Sequence, residues 1–418
     1  MKVLYFHQYF ATRRRSTGTR SYELARRLTE RGHQVTIVSR DTRALEHGRE
    51  TPPRGRLVAR ETVDGIDVVY ISMPYSNYFS APLRMLSFLG FMTAASVAGI
   101  VLPRPDVVFA SSTPLTIGVP GLLASRLKGV PFVFEIRDLW PAVPIALGAL
   151  RNPRLMAAAR WLERLLYREA ARVVVLSEGS RDALVDMGVP LGKLVFVPNS
   201  SDLDLFRPDV RDASFRARHG LEGKFVALYT GAMGRANGMD QLLDAAAALR
   251  RAGQSHVALV AVGEGAQRPR LERRVTAERL DNVLLLPPVA KTDLAGIVGA
   301  ADVTLTLFAP APVLQTNSPN KLFDSLAAGR PVIVNLDGWL RRVVEEGAAG
   351  VYVPPGDGQA LAAALAALAR DPQRVAEMGA NARTLAERDF DRDAMADRLA
   401  RALEEAVARP AAAGAPRA

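Results

Sequence analysis

A chain of 418 residues is longer than one ordinary domain and predicts two or three. A hydrophobic fraction of 49% with 23% charged residues describes a folded chain with a large core, and the lack of cysteine excludes disulfides and thiolate metal sites. The net charge of +11 favours a polyanionic partner: anionic lipid, nucleic acid or a phosphorylated substrate. The chain opens directly into strand residues from Lys2 to Phe6, which predicts no cleaved signal peptide and a cytoplasmic protein.

Residues 3–5 read as a first strand, with a helix at 22–28 and a second strand at 35–38. Between strand and helix lies a basic loop with Arg13, Arg14, Arg15, Ser16 and Gly18, placed at the carboxyl edge of a parallel sheet, where α/β proteins bind ligands; a solvated basic loop reads equally well. Residues 66–71 form another strand. Residues 86–102 then run for 17 positions without a charge, but Ser87, Gly90, Thr93, Ser96 and Gly99 dilute the stretch, so a simple transmembrane helix is rejected. The expectation is a buried helix of the first domain; the alternative is a helix dipping its apolar face into a membrane surface, to which Tyr75, Tyr78, Phe79 and Arg84 just before it lend interfacial character.

Strands at 107–110, 132–136 and 173–176 extend a parallel sheet, and the loops at 111–114 and 137–141, carrying Arg137, Asp138 and Trp140, follow strand carboxyl ends. A basic helix through Arg154, Arg160, Trp161, Arg164 and Arg168 reads as a surface helix or a second membrane contact. After a strand at 195–198 and a linker from Asn199 to Pro208 the α/β pattern restarts. Strands at 225–229, 256–262 and 283–286 are followed by turns at Gly231 to Arg235, at Gly263-Glu264-Gly265 and at Pro287-Pro288. The fold class is therefore α/β, two doubly wound Rossmann-like domains with the active site expected in the cleft between them.

Residues 301–334 read as one βαβ unit. Ser318 is the expected N-cap, Pro319 suits the first helical position, and Gly329 with Pro331 is a strong stop. A helix start at the carboxyl end of a buried strand collects free N–H groups and the positive dipole end where an anion can sit. Lys321 and Asp324, three residues apart on one face, can serve a diphosphate and a pair of ribose hydroxyls, as a nucleotide-sugar requires; a solvated pair on an ordinary helix is the competing reading.

Four stretches carry a family resemblance: SYELARRLTERGHQVTIVS from Ser21, VPNSSDLDLFRP from Val197, VGEG from Val262 and SPNKLFDSLAAGRPVIV from Ser318. The chain resembles the GT-B-fold retaining glycosyltransferases of the group 1, family 4 type. FEIRDLWP from Phe134, SSTPLTIG from Ser111 and YTGAMGRANGMDQL from Tyr229 look like bacterial surface-polysaccharide transferases that include the N-acetyl-L-fucosamine transferases. The resemblance implies an acceptor-binding domain over residues 1–203, a nucleotide-sugar domain over 204–385 and a helix over 386–408 crossing back to the first domain; the Ala, Gly, Pro and Arg composition of the end predicts a disordered tail over 409–418. It implies a metal-independent hexosyl transfer without a cofactor, from a UDP-sugar to a polyprenyl-diphosphate-linked or oligosaccharide acceptor in O-antigen, capsule or exopolysaccharide synthesis, at the inner face of the cytoplasmic membrane.

For the donor it implies Gly231, Arg235, Gly263, Glu264, Val289, Ser318, Pro319, Asn320, Lys321 and Asp324; Gly18, Arg137 and Trp140 belong to the acceptor side. The sequence departs from the family's paired acidic motif: its second position is Asp324, but its first falls on Thr316, which puts gluco-type donor recognition in doubt. The usual basic residues of the Gly-rich turn are replaced by Ala232 and Asn237, leaving Arg235 as the nearest cation. Asp138, the acidic residue after a buried strand, is the expected group for orienting or deprotonating the acceptor hydroxyl, against an N-cap or an ion pair with Arg137. Two rivals stand beside this reading: a UDP-sugar epimerase or hydrolase, which calls for more histidines than the five present, and a non-catalytic membrane-associated binding protein. Nucleic acid is disfavoured by the dispersed arginines.

Overall fold

The computed structural model describes residues 1–16, 18–41, 57–74 and 79–408. Tyr75, Tyr78 and the tail expected over 409–418 lie outside them. The chain divides into two compact units, one of residues 1–12, 19–198 and 393–418, the other of 13–18 and 199–392.

The first unit holds β1 (Lys2–Phe6), β2 (Gln34–Arg40), β3 (Val58–Val63), β4 (Ile66–Ile71), β5 (Val107–Ser111), β6 (Phe132–Ile136), β7 (Arg172–Val175) and β8 (Leu194–Phe196). They form one sheet in the order β3-β4-β2-β1-β5-β6-β7-β8. All pairs are parallel except β3 with β4, an antiparallel edge that apolar patterning did not foretell because β3 reads Val-Ala-Arg-Glu-Thr-Val and is largely exposed. Central strands such as Val107–Ser111 are buried throughout and read as continuous apolar runs, as parallel strands covered on both faces do. One face packs Phe91, Leu122 and Leu166 from three helices. The other packs Leu24 and Leu28 with Met395, Leu399 and Leu403 of the helix Arg392–Ala408. Each such side chain contributes about 1.5–3 kcal/mol through burial. Ion pairs from Arg31 to Asp397 at 2.6 Å and from Arg172 to Glu405 at 3.3 Å border that last helix.

The second unit holds β9 (Phe225–Thr230), β10 (Val257–Val262), β11 (Val283–Leu286), β12 (Val303–Thr306), β13 (Val332–Val334) and β14 (Gly350–Tyr352), in the order β11-β10-β9-β12-β13-β14, all parallel. The strand β14 has three residues, too few to leave a period-2 pattern.

Two sequence expectations change. The helix after β12 spans Asn320–Ala327 with Pro319 in the cap position, extended at ψ 129° and without a side-chain cap bond. Ser318 is not its N-cap, because its hydroxyl accepts a hydrogen bond from the Asn199 N–H at 3.2 Å instead. Gly329 does end the helix in the left-handed region, at φ +63°. The long apolar stretch forms the helix Ala81–Val101, but it is not a buried core helix: Phe91 and Ala95 face the sheet, while Leu86 and Val101 are 65% and 72% exposed.

Candidate functional site

In the second unit the strand order reverses between β9 and β12, so the loops after these strands diverge and leave a crevice at their carboxyl ends. The turn after β9 is shaped by close backbone approach. Gly231 has φ +116°, and a Cβ on Gly263 would come within 1.8 Å of the Gly231 carbonyl oxygen. The Gly231 N–H donates to Val262 O at 2.9 Å and the Met233 N–H to Glu264 O at 2.8 Å, which ties this turn to the one after β10. The loop after β12 is held by Asn335, whose amide donates to Phe308 O at 2.8 Å and to Gln241 Oε1 at 2.7 Å.

Lys321 stands in the first turn of Asn320–Ala327 and reaches back over β9. Its Nζ lies 3.6 Å from the centre of the Tyr229 ring, and a Cβ added to Gly231 would sit 3.4 Å from it. The ammonium is buried and has no hydrogen-bond partner among the described residues. Burial pulls its pKa down to about 7, since a desolvated cation with no carboxylate beside it is costly. Two further buried acceptors, Asn317 Oδ1 and Asn320 Oδ1, also go unpaired at this helix start. The ammonium and the helix N-terminus suit an anionic group, and the two carboxamide oxygens suit hydroxyl or N–H donors beside it.

Asp324 faces elsewhere. It accepts from Ser201 Oγ at 3.0 Å through Oδ1, and the Lys291 ammonium is 3.9 Å away. Lys291 pairs with Asp202 at 2.9 Å, and Arg392 Nε lies 2.8 Å from the other oxygen of the same carboxylate. Burial pushes the Asp324 carboxyl up, while Lys291 and Arg392 oppose the shift. The spacing of Lys321 and Asp324 thus sets the two groups on the same helix, but they address different neighbours.

Of the remaining residues expected on the donor side, Arg235 is exposed and makes no hydrogen bond or ion pair among the described residues. Glu264 is also exposed, its Oε1 accepting from Gly265 N at 3.0 Å. Val289 is half-buried beyond β11. Thr316 donates to Val313 O at 2.8 Å. The arginine loop through Gly18, placed with the first domain in the sequence reading, belongs to the second unit, where Lys291 N donates to the carbonyls of Arg13 and Arg15 at 3.1 and 3.0 Å. Sequence reasoning missed Arg268, whose guanidinium donates to Gly263 O at 2.8 Å and Leu286 O at 2.9 Å and so braces the ends of β10 and β11. An arginine directly after a Gly-rich turn was the available signal.

In the first unit the order reverses between β1 and β5. Glu135 on β6 is fully buried and held ionised by Arg20, with Nη2 at 2.7 Å and Nε at 3.0 Å from Oε1. Arg20 also donates to the carbonyls of Val197 and Pro198, both at 2.8 Å. His7, at the end of β1 and missed in the sequence, is buried with its pKa far down, through desolvation and then the charges of Arg137 and Arg20. Arg137 Nη1 lies 3.0 Å from its Nε2, so the neutral ring carries its proton on Nδ1, which has no partner. Asp138 is half-buried, pairs neither with Arg137 nor with a helix start, and has its pKa raised by burial despite Arg137. Trp140 packs on the edge of the core beneath it.

Residues 17–200 match the family described as glycosyl transferase 4-like domain, and residues 224–371 match glycosyl transferases group 1. The chain is 31% identical over 402 residues to a D-inositol 3-phosphate glycosyltransferase of Thermobispora bispora, covering 93% of this chain and 89% of that one. It is 23% identical to the putative colanic acid biosynthesis glycosyl transferase WcaI of Escherichia coli K12, over 81% of this chain and 84% of the relative. Among solved structures, sucrose-phosphate synthase of Thermosynechococcus elongatus superposes with TM-score 0.75 at 20% identity, covering 98% of this chain and 99% of that one. HepE of Anabaena in complex with UDP and glucose gives 0.71 at 19%, covering 97% and 99%. With two such matches tiling both units and a relative of this identity aligned along nearly its whole length, the chain belongs to the group 1 glycosyltransferases of GT-B fold.

Proposed function

We propose that the protein transfers a sugar, with retention and without a metal ion, from a UDP-sugar to a polyprenyl-diphosphate-linked or oligosaccharide acceptor in surface-polysaccharide assembly. The observation that carries the donor half is the buried, acid-free ammonium of Lys321 at the switch point of the second sheet. A diphosphate there converts an unsatisfied cation into a charge-assisted pair, and the same contact stabilises the leaving UDP as its charge grows. Backbone N–H groups from Asn320 onward, the Asn317 and Asn320 carboxamides and the exposed Arg235 add donors. Asp324 keeps Oδ2 for a ribose hydroxyl, and the uracil meets backbone near Pro288 and Val289. The UDP complex of HepE supports the choice of nucleotide.

Asp138 is the group that orients or deprotonates the acceptor hydroxyl. Its carboxyl makes no hydrogen bond or ion pair among the described residues, and its pKa, raised by burial against the pull of Arg137, makes it a better base than an ordinary aspartate. Thr316 brings no charge to the first acidic position, so a 6-deoxy or N-acetylated donor such as UDP-N-acetyl-L-fucosamine is preferred over UDP-glucose. The colanic acid relative supports the polysaccharide role. Peripheral attachment to the inner face of the membrane follows from the exposed apolar side of Ala81–Val101 and from Trp161, 65% exposed on the basic helix Pro153–Glu169.

Turnover with a panel of UDP-sugars tests the reading: UDP should accumulate only when a lipid-linked or oligosaccharide acceptor is added. Release without acceptor indicates a hydrolase, and preferred turnover of UDP-glucose removes the donor assignment. Flotation with anionic vesicles should carry the protein upward, and Leu86→Asp with Val97→Asp should abolish it; equal behaviour of that variant and the wild type rules out the helix as the attachment.

A further inference from the structure

The opposite, amino-terminal edge of the second sheet encloses a cavity of about 790 Å³, among the starts of β9, β12 and β13. Four cations line it, Arg211, Lys224, Arg330 and Arg383, against the single carboxylate of Asp302. That carboxylate is already committed, since Asp302 Oδ2 accepts from Val226 N at 2.7 Å and from Arg216 Nη2 at 2.8 Å. Two of the cations are committed as well. Arg383 Nη1 donates to Phe206 O at 2.9 Å and Ala327 O at 2.8 Å, and Lys224 Nζ donates to Ser255 O at 2.7 Å.

Arg330 and Arg211 are different. The Arg330 Nε is buried with no hydrogen-bond partner, and exposed Arg211 makes no ion pair or hydrogen bond among the described residues. Burial, then the repulsion of Arg211, draws the Arg330 guanidinium down to about 10, while Asp302 opposes the shift only in part. Arg330 is half-buried, and a guanidinium edge that has lost water without gaining an acceptor costs free energy that an incoming anion recovers. The rest of the wall is apolar, with Phe225, Leu368 and Val375 among its residues, and the volume lies in the range of small-molecule sites.

We propose that this cavity binds a small phosphorylated metabolite, its phosphate forked between Arg330 and Arg211 and its organic part against the apolar wall. A phosphate group presents several oxygens to the two guanidinium planes, and its two charges match the two uncommitted cations. The site lies at the end of the sheet opposite Lys321, so it is occupied independently of the donor, and it stands whether or not the donor reading does.

Calorimetry with glucose 6-phosphate, and separately with inorganic phosphate, tests it on the full chain. The sugar phosphate should bind more tightly than inorganic phosphate. Arg330→Gln and Arg211→Gln should each weaken both by at least tenfold, while Lys321→Ala leaves both unchanged. Arg211 is exposed, so its variant keeps the test valid if Arg330→Gln lowers stability. Unchanged affinity in both arginine variants, no binding by the wild type, or loss in Lys321→Ala alone overturns the proposal.

Discussion

The two units reverse their strand order in the same way, between β1 and β5 in one and between β9 and β12 in the other, yet the two crevices carry opposite chemistry. At the second, a cation is buried without a neutralising partner among the described residues: Lys321 stands over the face of Tyr229. At the first, charge is already balanced. Arg20 satisfies Glu135, Arg137 leans on a histidine held neutral, and the carboxyl of Asp138 makes no ion pair among the described residues. One topology therefore leaves an unpaired buried cation in one unit and a carboxyl raised by burial in the other, and the difference lies in a few residues after the strands. In the function proposed above, the donor phosphate uses the cation and the acceptor hydroxyl the carboxyl.

The largest expected effect breaks the first unit's half of this contrast. Asp138→Asn keeps the size of the side chain and removes its basicity, so kcat should fall by about 10²-fold or more while UDP affinity stays within a factor of two or so. Equal turnover of variant and wild type in steady-state kinetics removes Asp138 from the reaction.

Next comes the second unit. Lys321→Ala should weaken UDP binding by roughly 10- to 100-fold in calorimetry, because a hydrogen bond to a charged group is worth about 1.5–3 kcal/mol. The lowered pKa adds a signature in pH. Bound diphosphate favours the ammonium, so above about pH 7 binding takes up a proton and UDP affinity falls as pH rises. The same depression means that the unfolded chain binds more protons than the folded one between pH 7 and 10.5, so this lysine's contribution to stability rises with pH across that window. Both slopes should vanish in Lys321→Ala; a pH-independent UDP affinity in the wild type contradicts the buried-ammonium account.

The smallest effect separates the crevice of the first unit from a second raised carboxyl in the same unit. Glu163, buried on the helix Pro153–Glu169 and accepting from Tyr167 OH at 3.0 Å, is pushed up to about 7 by desolvation. The folded state binds more protons than the unfolded one between pH 4.5 and 7, so stability is present below that window and lost as pH rises through it. Glu163→Gln keeps the acceptor oxygen and should raise stability at pH 8 by roughly 2 kcal/mol after allowance for partial screening, a few degrees in Tm. Turnover and UDP affinity should not move. A drop in turnover would show that the two raised carboxyls of this unit are not separable.

Most of the strand framework was legible in the chain because buried parallel strands such as Val257–Val262 and Phe132–Ile136 read as uninterrupted apolar runs between glycine and proline signals. The positions of Asp138, Lys321 and Asp324 were legible too, the first directly past the end of β6 and the other two on a short helix bounded by proline and glycine signals. The polar edge strand β3 was not, because its largely exposed side chains leave no apolar alternation to read; the capping of Asn320–Ala327 and the role of His7 were not, because each depends on a partner remote in sequence, Asn199 and Arg137 respectively.

Sequence alone determined the α/β class, the two-fold repetition of the pattern and which residue types stand at the strand ends, because these follow from periodicity and turn chemistry within a few neighbouring residues. Tertiary structure decided which of those residues are chemically free. Arg13, Arg20, Lys291 and Arg392 look as available in the sequence as Lys321 does, but Asp202 lies 2.9 Å from Lys291, 2.8 Å from Arg392 and 3.5 Å from Arg13, and Glu135 lies 2.7 Å from Arg20. Charge is local in sequence, whereas desolvation and neutralisation depend on what the fold brings within a few ångströms, and that is why Lys321 is left as a buried cation without a carboxylate.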